Sequence, residues 1–276
     1  MKYTFVLIAI ATISLSSCGT FRTIYTASPP CNPIFQEKGD SKLAAYFSSN
    51  DPAIDSEAGS KANGIDVQAA YAFSKKFAAT FTYLQRNEID KNIYNGLQIS
   101  SFRTDLLYNR KMVEVGGGYF SPIDNNNNFM FNIYVGVGFG KFSFDDVNTK
   151  LNYSRYYSND ITKAFIMPSI NLKVGQYFWF SSALKYSYVH YGNQQTSYTL
   201  DESKQLTLDK LSSRAFLEPA FTIQFGLPKY PWVKLELIAS AAFSVSKNQE
   251  LNLVTRQGNQ SIGLVFDVFK MKNAKK

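Results

Sequence analysis

The chain has one histidine and two cysteines in 276 residues. A single His190 cannot supply a His-rich metal site, and two cysteines cannot build a disulfide framework. The run "DNNNN", Asp124 to Asn128, lacks the acid spacing of a calcium loop. No glycine-rich phosphate loop stands between a strand and a helix. After residue 17 the apolar runs are too short for a transmembrane helix, which needs roughly 18 or more apolar residues. Basic side chains do not cluster with aromatics on one element, so a nucleic-acid surface is not expected.

Aromatic residues, by contrast, are abundant, at 16% of the chain. Hydrophobic residues make up 45%, enough for a buried core and too many for a disordered chain. The net charge is +8. With Lys2 and the tail lysines 270, 272, 275 and 276 set aside, the body carries only about +3. The basic tail, 271–276, reads as solvated.

The amino end has the anatomy of a targeting segment. Lys2 is a short basic start, Tyr3 to Ser14 is apolar, and "LSSC" follows. A Cys directly after small residues is the lipobox pattern, in which the thiol forms a thioether to diacylglycerol and the signal is cut before it. Residues 1–17 are therefore expected to be a lipoprotein signal peptide and Cys18 the lipidated residue. The covalent lipid is the only attached group expected. Cys31, in the proline-rich "SPPCNP", is then alone and reads as a loop thiol. Residues 18–40 read as an extended tether.

From residue 41 the pattern has period two. In "FMFNIYVGVGFG", Phe129, Phe131, Ile133, Val135, Val137 and Phe139 share one face, while small or polar residues fill the other. Ten such strands are expected, near 41–49, 63–73, 77–87, 111–121, 129–144, 161–174, 177–191, 211–226, 232–246 and 260–269. Their connections alternate. "SKK", "PIDNNNN", "GQ" and "LPKYP" are tight, whereas 50–62, 88–110, 145–160, 192–210 and 247–259 are long. Short turns at one end and long loops at the other mark an outer-membrane barrel. The segment 95–109 is open to two readings, a loop hairpin or an extension of the fourth strand. The even strand count puts both termini at the short-turn, periplasmic end, where a lipid on Cys18 would hold the chain.

The faces opposite the apolar ones carry balanced charge. Asp66, Glu114, Glu218, Glu236 and Asp267 stand against Lys163, Lys173, Lys185, Arg214 and Lys234. Such charges are costly in lipid but can pair in a lumen. A lumen of ten strands is also too narrow for so many Phe, Ile, Leu and Val. The expected fold is thus all-β, a single antiparallel up-and-down transmembrane barrel over 41–270, apolar face outward. Phe73, Phe77, Tyr119, Phe120, Tyr177, Trp179, Tyr230 and Trp232 near the short turns, and Tyr83, Phe142, Phe144, Tyr188, Tyr191 and Phe243 near the long loops, are candidates for the two aromatic girdles. Tyr177 and Trp179 fall on the polar face and fit that role less well.

With "LSSC", "PCNPIFQEKGD", "GIDVQAAYAFSKKFAA", "FIMPSINL" and "FLEPAFTIQFG", nearly the whole chain resembles the small outer-membrane barrels of Gram-negative bacteria. It is most similar to a group of uncharacterised barrel lipoproteins. The resemblance implies an architecture rather than an activity. It also implies handling by lipoprotein-sorting and barrel-assembly machinery, although the last strand departs from the usual abrupt aromatic end, since "KMKNAKK" follows Phe269.

Chemistry is sparse. His190 sits at the long-loop end of the seventh strand, with Ser197 as the nearest loop serine and no adjoining acid, so a general base lacks a placed partner. The expectation is a non-catalytic, lipid-anchored outer-membrane barrel with a structural or surface-interaction role through its loops, its external ligand unknown. Three alternatives remain: a narrow pore, a periplasmic lipoprotein barrel holding an apolar ligand, and a barrel enzyme acting on membrane lipid.

Overall fold

Ten strands of the computed structural model, which describes residues 22–50, 60–94, 97, 103–245, 253–256 and 258–268, close into an antiparallel barrel. In chain order the strands are β1 (Arg22–Thr26), β2 (Ser41–Asn50), β3 (Lys61–Tyr71), β4 (Phe77–Tyr94), β5 (Arg103–Pro122), β6 (Phe129–Asn148), β7 (Tyr153–Lys173), β8 (Phe178–Thr196), β9 (Ser213–Leu227), β10 (Tyr230–Ala241), β11 (Phe243–Ser244), β12 (Leu253–Arg256) and β13 (Gly258–Phe266). Strands β2 to β10 pair in sequence. β13 then joins β10 to β2 and closes the ring. β11 adds to β9, and β1 pairs with β12 in a separate parallel ribbon.

The ring has a tall side and a low side. β4 to β8 run for 18 to 21 residues, while β13 has 9 and β2 has 10. Most of the expected loops 88–110 and 145–160 are therefore strand. Over 103–109 the extension of the fourth barrel strand is found, since β5 begins at Arg103, while 95–96 and 98–102 lie outside the described residues. Between β6 and β7 only a 3-10 turn, Thr149–Leu151, remains. The physical reason is plain. Above the apolar band the outward residues become Gln85, Asn87, Lys111 and Lys141, so the alternation of greasy and polar residues stops although the backbone pairing continues.

The apolar band is on the outside. Val135 is 54% exposed, Phe139 57%, Phe221 54% and Ile262 49%. On β6 the band runs from Phe129 to Phe139, about 33 Å of strand, or about 25 Å of height at a tilt near 40°. That matches the hydrocarbon thickness that outer-membrane barrels span.

The expected tether is corrected. Residues 22–40 belong to the domain: they run up the inside of the barrel, and Arg22 through Asn32 are all buried. Gly39 N donates to the Ala72 carbonyl at the short-turn end, while Arg22 meets Asp146 near the far end of β6. A sequence poor in regular structure suits a lumen whose walls supply side-chain partners instead of a neighbouring ladder. The girdles are corrected as well. Phe120, Phe142, Phe144 and Tyr191 point inward and are buried, because they pack on this threaded segment and on one another, and Trp179 is buried in the lumen beneath Lys173. Phe73, Phe77, Tyr188, Tyr230 and Phe243 stay exposed on the outer face. Cys18, the signal 1–17, Phe269 and the tail 271–276 lie outside the described residues.

Candidate functional site

The lumen is where the chain concentrates its polar chemistry, and it is built in layers around the threaded segment. At the short-turn end Phe35 packs edge-on against Phe120, with ring centroids 5.7 Å apart. One layer higher Asn32 is held on three sides. Its amide donates to Asn171 Oδ1 at 2.9 Å, and its carbonyl accepts from Asn132 at 3.0 Å and from Ser169 Oγ at 2.8 Å. Gln68 donates to the Pro29 carbonyl at 3.2 Å. Prolines offer a carbonyl but no N–H, so a wall of side-chain donors satisfies them.

The middle layer is an ion cluster. Lys163 Nζ lies 2.8 Å from Glu114 and 3.2 Å from Glu218, and Lys185 Nζ lies 3.2 Å from Glu114. Two residues of the threaded segment complete it. The Tyr25 hydroxyl accepts from Lys163 at 2.7 Å and donates to Glu218 at 2.9 Å. Ser28 Oγ accepts from Lys185 at 2.6 Å and donates to Glu114 at 2.9 Å. Two cations meet two anions, all four nearly inaccessible to water. Such a cluster is tolerable only because each charge has both a partner charge and further hydrogen bonds.

The upper layer continues the same logic. Arg22 Nη2 is 2.7 Å from Asp146, Arg256 reaches Glu88 at 3.2 Å and Asp90 at 2.8 Å, and Arg110 donates to the Thr23 carbonyl. Tyr25 stacks on Phe216 with centroids 4.0 Å apart. Above it a buried apolar cluster joins Phe144, Tyr157, Leu206, Leu208, Leu211 and Leu253. The void beside Ile24 and Arg110 measures about 20 Å³, room for about one water. Among the described residues, the lumen at this level is closely packed around the threaded segment.

A short helix, α1 (Leu200–Gln205), lies in the loop between β8 and β9, outside the apolar band. Its start is fixed by a capping box between Thr199 and Glu202. Arg155 clamps the Glu202 carboxylate with contacts of 3.1 and 3.2 Å. Partial burial raises the pKa of this carboxyl, but the hydrogen bonds from Arg155 and the Thr199 backbone outweigh it and hold the group below the ordinary glutamate range.

The ten charges expected in the lumen divide into groups. Glu114, Lys163, Lys185 and Glu218 come together as described. Asp66 pairs instead with Arg86 at 2.8 Å, and Glu236 with Lys42 at 2.8 Å. Arg214 is buried, Lys173 stands over the Trp179 ring at 5.6 Å, and Asp267 accepts from Ser41 at 3.5 Å. Lys234 is half-buried. Sequence reasoning missed Arg22, Tyr25, Ser28, Lys42, Arg86, Glu88, Asp90, Arg110, Asp146 and Arg256. One signal was available: Leu84, Arg86, Glu88 and Asp90 keep period two past the end of the apolar band.

His190 lies on the exposed outer face. Its partner is not Ser197 but Ser213, the residue opposite it on β9, with Nδ1 3.0 Å from the hydroxyl. Among the described residues no cluster of His, Cys, Asp and Glu could hold a metal ion.

No protein-family model matches the chain, and no curated protein matches it in sequence. Solved structures do resemble its fold. The translocator domain of the autotransporter NalP from Neisseria meningitidis aligns at 11% identity over 83% of this chain and 88% of that one, with a TM-score of 0.48. An outer membrane channel from Pseudomonas putida F1 aligns at 8% identity over 86% and 99%, with a TM-score of 0.42. OprG from Pseudomonas aeruginosa aligns at 13% identity over 85% and 98%, with a TM-score of 0.35. Two of the three, the channel and OprG, are outer-membrane proteins.

Proposed function

We propose that this chain is a sealed, lipid-anchored outer-membrane barrel with a structural or surface-interaction role, displayed through the tall side of its wall and the loops above it. One observation carries the reading: a barrel about 25 Å tall in its apolar outer band encloses a lumen filled by its own residues 22–35. The band suits hydrocarbon, and the filled lumen argues against a solute path. It argues equally against a soluble carrier of an apolar ligand, since the charges face inward and the greasy residues outward. The lipobox at Cys18 supports an anchor, and outer-membrane lipid is then the main partner, with assembly and sorting machinery acting in transit.

The test is retention in the outer-membrane pellet after alkaline carbonate washing, followed by gel mobility with and without boiling. Retention, with a shift on boiling, supports a membrane-spanning barrel. Release of Cys18→Ala into the wash, with no shift on boiling, refutes it. Planar-bilayer recordings of the purified protein are expected to show no conductance steps, and steady steps would restore the pore.

One pair of side chains favours a second reading. His190 and Ser213 sit within hydrogen-bond distance on the outer face, at the border of the apolar band, where a nucleophile and a base would meet lipid esters. Labelling of the protein by a serine-directed phosphonate, lost in Ser213→Ala, would move the chain to the barrel enzymes.

A further inference from the structure

The course of the threaded segment fixes where the chain upstream of it must emerge. At its lower end, the Gly39 N–H bonds the Ala72 carbonyl just past β3, next to the tight turn into β4. At its upper end, Arg22 pairs with Asp146, the third residue from the end of β6, and stands 5.9 Å from the ring centre of Tyr198 in the loop between β8 and β9. Between these ends every layer of the lumen holds it in one direction. Asn32 sits with Ser169 and Asn171 low on β7, Ser28 and Tyr25 with the ion cluster at mid-height, and Thr23 with Tyr108 high on β5. The parallel ribbon with β12 repeats the direction, since Arg22 faces Leu253 and Thr26 faces Arg256. The segment enters at the short turns and leaves at the long loops.

We infer that the amino end of the mature chain lies on the long-loop side of the membrane, opposite to the side on which the barrel begins. Cys18 is four residues from Arg22, so it lies within about 14 Å of the long-loop rim even with the backbone fully extended. A diacylglycerol there enters the outer leaflet, beside the barrel's own wall. This replaces the expectation that the lipid sits at the short-turn end: an even strand count fixes where β2 starts, and the chain before β2 turns back up the lumen. The inference rests on the proposed membrane orientation, in which long loops face the cell exterior.

The experiment places one epitope between Thr20 and Phe21 and, in a second strain, the same epitope after Ser197 in the loop between β8 and β9. Antibody binding is read on intact and on permeabilised cells carrying the full-length protein. The expected result is that both epitopes bind equally before and after permeabilisation. If the loop epitope is reached on intact cells and the amino-terminal one only after permeabilisation, the inference falls and the barrel stands. If neither is reached on intact cells, the orientation falls and takes the inference with it.

A second measurement guards against an insertion that spoils processing. In a Cys31→Ser background, Asn32→Cys and Ser169→Cys are joined in cells by a short bifunctional thiol reagent. The native side chains are 2.8 Å apart across 137 residues of sequence, so a cross-link closes a large loop and speeds migration of the denatured chain. Cross-linking in the outer-membrane fraction supports threading. Its absence, with both thiols reactive toward a small maleimide in the folded protein, overturns threading, whereas protection of both until unfolding supports it.

Discussion

Glu114→Gln removes a charge from the middle of the lumen and leaves the shape nearly unchanged. Glu114 lies 2.8 Å from Lys163 and 3.2 Å from Lys185. At about 3 Å and an effective dielectric near 20, each contact is worth between about 5 and 6 kcal/mol of attraction, most of it offset by the cost of stripping water from both ions. After the substitution Lys163 keeps Glu218 at 3.2 Å, but Lys185 is left with the Ser28 hydroxyl as its remaining partner in the cluster. One buried cation becomes uncompensated, and the expected loss is about 3–5 kcal/mol. The double variant Glu114→Gln with Lys185→Met restores neutrality, so it should regain about 2 kcal/mol of that loss despite removing more polar groups. Urea titration of the purified barrel in lipid vesicles measures both, with tryptophan emission as the signal, because Trp179 is buried in the lumen. A loss under about 1 kcal/mol for the single variant would mean that water reaches the cluster, and the packed lumen would be wrong. A double variant as unstable as the single one would mean that charge balance is not what holds the layer.

Three further outcomes are expected. Val135→Arg, near the centre of the outer band, should cost about 2–4 kcal/mol in lipid, by the same titration, and much less in a loosely packed detergent micelle. Gly136→Ala should cost about 1–3 kcal/mol, because a Cβ there would stand 2.5 Å from the Phe165 ring and closer still to the Val115 carbonyl; no loss would mean that both the ring and the β5 backbone give way freely. The Glu202 carboxyl titrates below its ordinary value of 4.5, so its support of the α1 loop is complete above that pH and disappears as the pH falls through the lower, folded value. Cleavage of the 197–212 loop by pepsin should therefore start only below pH 4.5, and Glu202→Gln should admit proteases to this loop at neutral pH.

The barrel was legible in the chain because its two faces meet different solvents. Phe129 to Phe139 alternates cleanly, and so do Ile65 to Tyr71 and Ile262 to Phe266, since each has lipid on one side. The signal fades where that contrast ends. Asn109, Lys111, Lys141 and Ser143 are ordinary strand residues with water outside, and no period-two hydropathy marks them. The short turns were legible for a different reason. At Asp124 the carboxylate accepts from the Phe129 N–H at 2.7 Å, and Asn127 takes a positive φ of 54°, as polar turn residues do. The threaded segment was hidden because "SPPCNP" has the composition of a linker in water. The ring of Asn132, Ser169, Asn171 and Gln68 gives this stretch a fixed place, and these residues lie 38 to 139 positions away in sequence. The partners of Asp66 and Glu236 were missed for a similar reason. Pairing across a closed ring is set by register, which a list of charges does not contain.

A chain that passes through its own closed ring has an order of assembly written into it. The seam between β2 and β13 joins the first barrel strand to the last, and it can zip only when nearly all of the chain has been made. The closely packed lumen leaves little room for the segment to be pushed in afterwards. Residues 22–35 must lie in place while the wall curls around them, with Lys163 and Glu218 meeting Tyr25 before the seam shuts. The finished molecule is then held by a lock as well as by its contacts. Withdrawing the amino end requires either breaking the seam or dragging every buried ion pair past its neighbours. Its lifetime in the membrane should be governed by the rate at which the seam opens, rather than by the equilibrium strength of any single layer.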